Sequence, residues 1–180
     1  GYGVGTRIEQ VVLLPILGIN TAIITIIAQN FGARNFERVK EAYFGAIKYA
    51  LIIMLSCSVI VFIFSNHITS VFSNDPTVIE YGGKYLKISA FVLTAYPIFF
   101  LSNGFFMALK KSEYAMISNF FRNVLNPVTV FYFAKLYDAS FAQFFWIWVI
   151  INWLFSTGYF LFTFNYMRSK LNKSGAVVNP

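Results

Sequence analysis

Residues 10–33 read QVVLLPILGINTAIITIIAQNFGA and contain no Asp, Glu, Lys or Arg. An α-helix rises about 1.5 Å per residue, so roughly 20 apolar residues cross the ~30 Å hydrocarbon layer of a bilayer. This run is long enough. Residues 49–74, 88–109 and 139–167 are equally free of charge, and residues 114–134 are interrupted only by Arg122. The sequence therefore predicts an all-α, polytopic transmembrane helix bundle of about five spans, near 8–29, 44–65, 84–108, 114–134 and 141–167. These lie within residues 1–172, followed by a tail at 173–180. A β-barrel is excluded by runs such as Val59-Ile60-Val61-Phe62-Ile63-Phe64, which lack in/out alternation.

Composition agrees. Of 180 residues, 58% are hydrophobic and only 12% charged, against roughly 25% charged in a soluble domain. So few charges cannot cover a water-soluble body of this size. The net charge of +7 then belongs to loops at a membrane surface, and nucleic acid is not expected as a partner. Cys57 and His67 are the only cysteine and histidine, which leaves no disulfide, metal site or Ser-His-Asp set to build an enzyme from.

Basic residues alternate between connections. Arg34, Arg38, Lys40, Lys48, Lys110, Lys111, Arg168, Lys170 and Lys173 fall on one side of the predicted topology; Arg7, Lys84, Lys87 and Lys135 fall on the other. The positive-inside rule makes the first side cytoplasmic. We expect a multi-pass protein of the plasma (inner) membrane with residue 1 outside and the C-terminus in the cytoplasm. An outside start at Gly1-Tyr2-Gly3, without a signal peptide, leads us to expect a further helix upstream. Asn74-Asp75-Pro76 reads as a helix start, and residues 77–87 are expected at the outer interface.

Polar residues are costly in lipid and mark inward faces. Thr21, Thr25 and Gln29 share a face of the first span. Asn119, Asn123 and Asn126 share one in the fourth, beside Arg122, and Asn152, Ser156, Tyr159 and Thr163 one in the fifth. The third has Ser89, Thr94 and Ser102-Asn103. The second has only Ser56-Cys57-Ser58 and is placed at the lipid-facing periphery. Interhelical hydrogen bonds, about 0.6 kcal/mol each, account for a single Ser or Thr; the group around Arg122 equally suits a watery cavity. Pro15, Pro97 and Pro127 lie inside three spans, where each removes a backbone donor and kinks its helix. Glu9, in Arg7-Ile8-Glu9-Gln10, can take a proton, Na+ or a cationic substrate at a helix mouth. It can also pair with Arg7 or cap the helix.

Gly3-Val4-Gly5-Thr6-Arg7-Ile8-Glu9-Gln10, Leu14-Pro15-Ile16-Leu17-Gly18 and Ala28-Gln29-Asn30-Phe31-Gly32-Ala33 resemble elements of the multidrug and toxic compound extrusion (MATE) family. Tyr85-Leu86-Lys87-Ile88 and Met107-Ala108-Leu109-Lys110 resemble later ones, with Lys111 replacing a glycine region. The resemblance implies half of a twelve-helix, two-lobe transporter, here helices eight to twelve, with a missing N-terminal lobe as partner. It implies H+- or Na+-coupled efflux of small cationic or amphipathic organic substrates, with no cofactor beyond the coupling ion. Family members carry coupling carboxylates on the first helix of a lobe and in some on the tenth. Residues 88–109, the equivalent of the tenth, have no acid, so coupling would fall to the other lobe or to Glu9. Two other readings are a lipid-linked oligosaccharide flippase of the same superfamily, disfavoured by having only Arg122 as a base within a span, and a non-transporting membrane scaffold subunit.

Overall fold

The computed structural model describes residues 2–138 and 140–171, and all regular structure among them is helical. The order is α1 Tyr2–Val12, α2 Leu14–Gly32, α3 Phe36–Phe72, α4 Pro76–Leu93, α5 Tyr96–Ala108, α6 Ser112–Phe120, α7 Asn126–Leu136 and α8 Phe141–Tyr166. A π-helical turn, Phe121–Leu125, joins α6 to α7, and a second, Met167–Leu171, ends the described chain. The expected tail at 173–180, with Lys173, lies outside the described residues.

Three helical stretches are long and apolar enough to cross a membrane: Gly3–Gly32, Phe36–Phe72 and Ala142–Lys170. The pair Pro76–Leu93 and Tyr96–Ala108, bent by 46°, makes a fourth if it counts as one span. The fifth expected span, 114–134, falls in a stretch that is helical or π-helical from 112 to 136. It does not reach the same apolarity, because Asn119, Arg122, Asn123 and Asn126 dilute it.

Each in-span proline is the second residue of a new helical segment: Pro15 in α2, Pro97 in α5 and Pro127 in α7. Proline has no N–H to donate and its ring crowds the carbonyl four residues back. The chain resolves this in three ways. Before Pro15 the helix breaks only at Leu13, and α2 continues with Leu17 N–H donating to Leu13 O at 3.2 Å. Before Pro97 the axis turns at Thr94-Ala95. Before Pro127 the helix widens into a π turn. Carbonyls loosened at the Pro97 bend are taken up by neighbours, as irregular backbone at membrane depth requires. Ser58 Oγ donates to Ala90 O at 2.6 Å, Trp153 Nε1 to Phe91 O at 2.9 Å and Thr94 Oγ1 to the same Phe91 O at 2.9 Å.

Helix α3 packs most extensively on α4, α2 on both α3 and α5, and α8 on α4, α5 and α7. The second span, expected at the lipid-facing periphery because it shows no polar stripe, does carry one on its packed face. One face of α3 is buried along its length, through Tyr43, Ala50, Met54, Ser58, Val61, Ser65 and Thr69. Ser58 and Ser65 lie within the expected span 44–65, seven residues apart; Thr69, which completes the stripe, lies past its expected end because α3 runs to Phe72. Its other face, including Ile52, Leu55, Val59 and Ile63, is exposed. Residues 77–87 are part of α4, with Gly82, Gly83, Tyr85 and Leu86 buried. The helix start is as expected: Asp75 Oδ1 accepts from Thr77 N at 2.8 Å with Pro76 first in the helix.

The two ends of the bundle differ in charge. The C-termini of α2 and α5 share one cavity with the start of α3. The C-terminus of α8 reaches the same end, where Tyr166 packs on Phe105 and Phe106. Arg34, Arg38, Lys40, Lys110, Lys111, Arg168 and Lys170 therefore gather at one end, and Lys84, Lys87 and Lys135 lie toward the other.

Candidate functional site

Glu9 lies on α1, 8% exposed. Tyr85 of α4 donates its hydroxyl to Glu9 Oε2 at 2.5 Å, and Tyr96 of α5 donates to Oε1. Both carboxylate oxygens thus have a phenolic donor, from residues 76 and 87 positions away. The approach of Tyr85 depends on Gly5, one helical turn before Glu9. A Cβ there would overlap the Tyr85 ring. Of the roles open to Glu9, pairing with Arg7 is not what the structure shows. Arg7 is exposed, and among the described residues no basic group lies within 4.0 Å of the Glu9 carboxylate.

The Tyr96 ring carries the second half of the site. Arg122, on the π turn before Pro127, sets its guanidinium carbon 4.8 Å from the Tyr96 centroid, 4.5 Å from Phe99 and 5.0 Å from Phe100. A planar, weakly hydrated guanidinium suits such an aromatic bed, each contact contributing about 0.5–2 kcal/mol depending on desolvation. A buried carboxylate and a cation at membrane depth are thereby joined through one tyrosine: Glu9 to its hydroxyl, Arg122 to its face.

The other candidates are not brought together with this pair. Asn119 is exposed and returns its Nδ2 to Ala115 O on its own helix at 2.9 Å; Asn123 is exposed. Asn126 is buried, and its Oδ1 has no hydrogen-bond partner among the described residues. Asn152 is buried and bonds Trp148 O at 2.8 Å. Gln29 is exposed in line with Thr21 and Thr25 on α2, a face the described helices leave uncovered. The polar pairs of the third span are interhelical ties: Tyr43 Oη lies 2.7 Å from Ser102 Oγ, and Asn103 Oδ1 accepts from Ser118 Oγ at 2.7 Å and Tyr159 Oη at 3.2 Å.

Sequence reasoning found Glu9 and Arg122 but missed both tyrosines as their partners. A signal existed. Tyr85 and Tyr96 stand 11 residues apart, three turns of an ideal helix, which places them on one face. No group of three or more His, Cys, Asp or Glu residues among the described residues could hold a metal ion.

The chain is similar to a FAD transporter of Shewanella oneidensis, 31% identical over 87 residues, 48% of this chain and 19% of that protein. It is similar to the probable multidrug resistance protein YpnP of Bacillus subtilis, 25% identical over 144 residues, 79% of this chain and 32% of that one. It is also similar to the multidrug export protein MepA of Staphylococcus aureus, 26% identical over 139 residues, 77% and 31%. The chain thus spans about a third or less of the length of these relatives. Among solved structures, a MOP superfamily transporter from Pyrococcus furiosus superposes with a TM-score of 0.86 at 24% identity, covering 95% of this chain and 38% of that one. A MATE in complex with MaL6 gives 0.87 at 23%, covering 96% and 39%. At such identity these two establish the fold alone. The MatE family model matches residues 1–132, so this helical membrane chain belongs to the MatE family of transporters, as its Gly3–Gln10 and Ala28–Ala33 elements led us to expect.

Proposed function

We propose that the protein containing this chain exports small amphipathic or cationic organic molecules across the inner membrane in exchange for H+ or Na+, with Glu9 as a coupling carboxylate. The observation that carries this reading is the burial of Glu9 between two tyrosyl hydroxyls without a basic partner within ion-pair distance. A buried carboxylate costs free energy unless it is hydrogen-bonded or paired. Here it is stabilised by neutral donors, which can rotate away as a cation arrives. Binding of that cation biases the bundle only by its differential affinity for two conformations, and the breaks before Pro15, Pro97 and Pro127 are hinges about which two packings can differ. The multidrug names of YpnP and MepA support the substrate class. The uncovered Thr21-Thr25-Gln29 face of α2 suits the wall of a cavity completed by the rest of the protein. We place the basic end in the cytoplasm, following the positive-inside rule.

The test is Glu9→Gln in the whole protein, reconstituted in vesicles with an imposed pH or Na+ gradient and ethidium as cargo. Glutamine keeps the shape and the acceptor for one tyrosine but takes up no proton and carries no negative charge to draw a cation. Loss of gradient-driven efflux at normal protein levels is expected; unchanged coupling removes Glu9 from the mechanism.

A further inference from the structure

Arg34 and Lys110 share an unusual backbone. Each sits just beyond a helix C-terminus, α2 and α5 respectively, with φ of 57°. This is the left-handed region, where glycine is the unstrained choice and a long side chain is strained. The surrounding bonds are the same at both places. Asn35 N donates to Asn30 O at 2.8 Å and Arg34 N to Phe31 O at 3.1 Å; Lys111 N donates to Phe106 O at 2.9 Å and Lys110 N to Met107 O at 3.1 Å. Glycine would make every one of these bonds, because all use backbone atoms. The helix caps do not require a base at either position.

Arg34 and Lys110 line one cavity of about 490 Å3, walled by Phe31, Phe36 and Ala108. Three neighbouring bases at this end are already matched: Arg38 to Glu41 at 3.4 Å, Lys40 to Glu37 at 3.5 Å and Lys111 to Glu113 at 3.6 Å. No carboxylate among the described residues lies within 4.0 Å of Arg34 or Lys110. A base near a helix C-terminus complements the dipole there, which accounts for each residue alone. It does not account for two such residues, neither with a carboxylate within 4.0 Å among the described residues, lining the same cavity, where like charges repel unless an anion joins them.

We propose that this cavity binds a phosphate group, with Arg34 supplying a two-pronged guanidinium contact and Lys110 a point charge. The aromatic wall of Phe31 and Phe36, rings 5.9 Å apart edge to face, covers the apolar part of the same ligand. The phosphate can come from an anionic phospholipid at the membrane surface or from a soluble phosphate compound. The site is separate from Glu9 and does not depend on the export reading.

The test compares the whole protein with its Arg34→Gly/Lys110→Gly variant, both delipidated in detergent. Glycine removes the charges and relieves the backbone strain, so the variant should unfold at an equal or higher temperature than the parent. Retention of phosphatidylglycerol over phosphatidylcholine is read by native mass spectrometry, and binding of inorganic pyrophosphate by calorimetry. A fivefold or greater loss of phosphatidylglycerol retention alone supports the site with a lipid source. An equal loss of pyrophosphate binding supports it with a soluble source. Lys48→Gln, farther along α3 and outside the cavity, should change neither. If the folded glycine variant holds both probes as the parent does, or if the parent holds neither, the proposal is overturned.

Discussion

Glu9 and Arg122 engage the same tyrosine: the Tyr96 hydroxyl donates to the Glu9 carboxylate, and the Arg122 guanidinium carbon lies 4.8 Å from the Tyr96 ring centre. Three elements far apart in sequence are thereby coupled through one side chain. Tyr96→Phe separates its two functions, since it keeps the ring under Arg122 and deletes the bond to Glu9. A hydrogen bond to a charged group contributes about 1.5–3 kcal/mol, so gradient-driven efflux should fall roughly tenfold or more. Thermal stability should change less than in Tyr96→Leu, which loses both contacts. Equal efflux in Tyr96→Phe and the parent would mean that Tyr96 serves Arg122 alone.

Gly5→Ala should act on the same carboxylate without touching it. The added methyl overlaps the Tyr85 ring, and that ring is packed edge-on against Phe145 at 5.0 Å. It must shift, carrying its hydroxyl off Glu9. Overpacking of this kind costs about 1–3 kcal/mol. The expected pattern is impaired coupling that resembles Tyr85→Phe, and no further loss when the two changes are combined. Additive losses would show that Gly5 matters for helix packing rather than for Tyr85.

Arg122→Lys should not be conservative. A compact ammonium cannot lie flat across Tyr96, Phe99 and Phe100 as the guanidinium does. We expect a stability loss of about 1–2 kcal/mol, read as a lowered melting temperature in detergent, with Arg122→Gln no better. A lysine variant as stable as the parent would show that charge alone is what this position needs.

The membrane character of the chain was legible because charge-free runs of span length cannot be read otherwise, and the helices sit where those runs lie. The prolines announced breaks, but not their form. Whether a helix bends by 46°, as before Pro97, or widens into a π turn, as before Pro127, depends on which neighbours can accept the loosened backbone. Those neighbours, Ser58 and Trp153, are distant in sequence. The candidate site was half legible for the same reason. A lone acid such as Glu9 stands out in an apolar run, whereas the tyrosines that hold it look like any of the chain's 11. Asn119 and Asn123 share a face, as their spacing indicates, and the described helices leave that face uncovered.

The Pro97 bend offers a test of that dependence. Ser58→Ala and Trp153→Phe each withdraw a donor from a carbonyl beside the bend, Ala90 O and Phe91 O. Phe91 O keeps the Thr94 hydroxyl; Ala90 O has Ser58 as its only side-chain donor among the described residues. Ser58→Ala should therefore cost more than Trp153→Phe for the hydrogen bond alone, toward the upper end of the ~0.6–1.7 kcal/mol range for such bonds in membranes. Urea or detergent denaturation of the two variants measures the order directly, and the reverse order would show that the indole ring's packing outweighs its N–H.

The charge asymmetry of the bundle leads to the remaining prediction. Asn35 and Asn74 flank α3, whose 37 residues span about 55 Å at 1.5 Å per residue, more than the ~30 Å hydrocarbon core. If α3 crosses the bilayer, its two ends emerge on opposite faces. Single cysteines at Asn35 and Asn74, in a Cys57→Ser background, should be blocked by a membrane-impermeant maleimide from opposite sides in sealed vesicles. The one at Asn35 should be accessible from the cytoplasmic side, where Arg34, Arg38 and Lys110 would place it. Asn35 caps α3 by accepting from Arg38 N at 3.2 Å, so a cysteine there costs about 0.5–2 kcal/mol and shortens the helix start without moving the rest of α3. Labelling of both from one side would mean that α3 does not cross, and opposite labelling with Asn35 outside would invert the orientation while leaving the bundle intact.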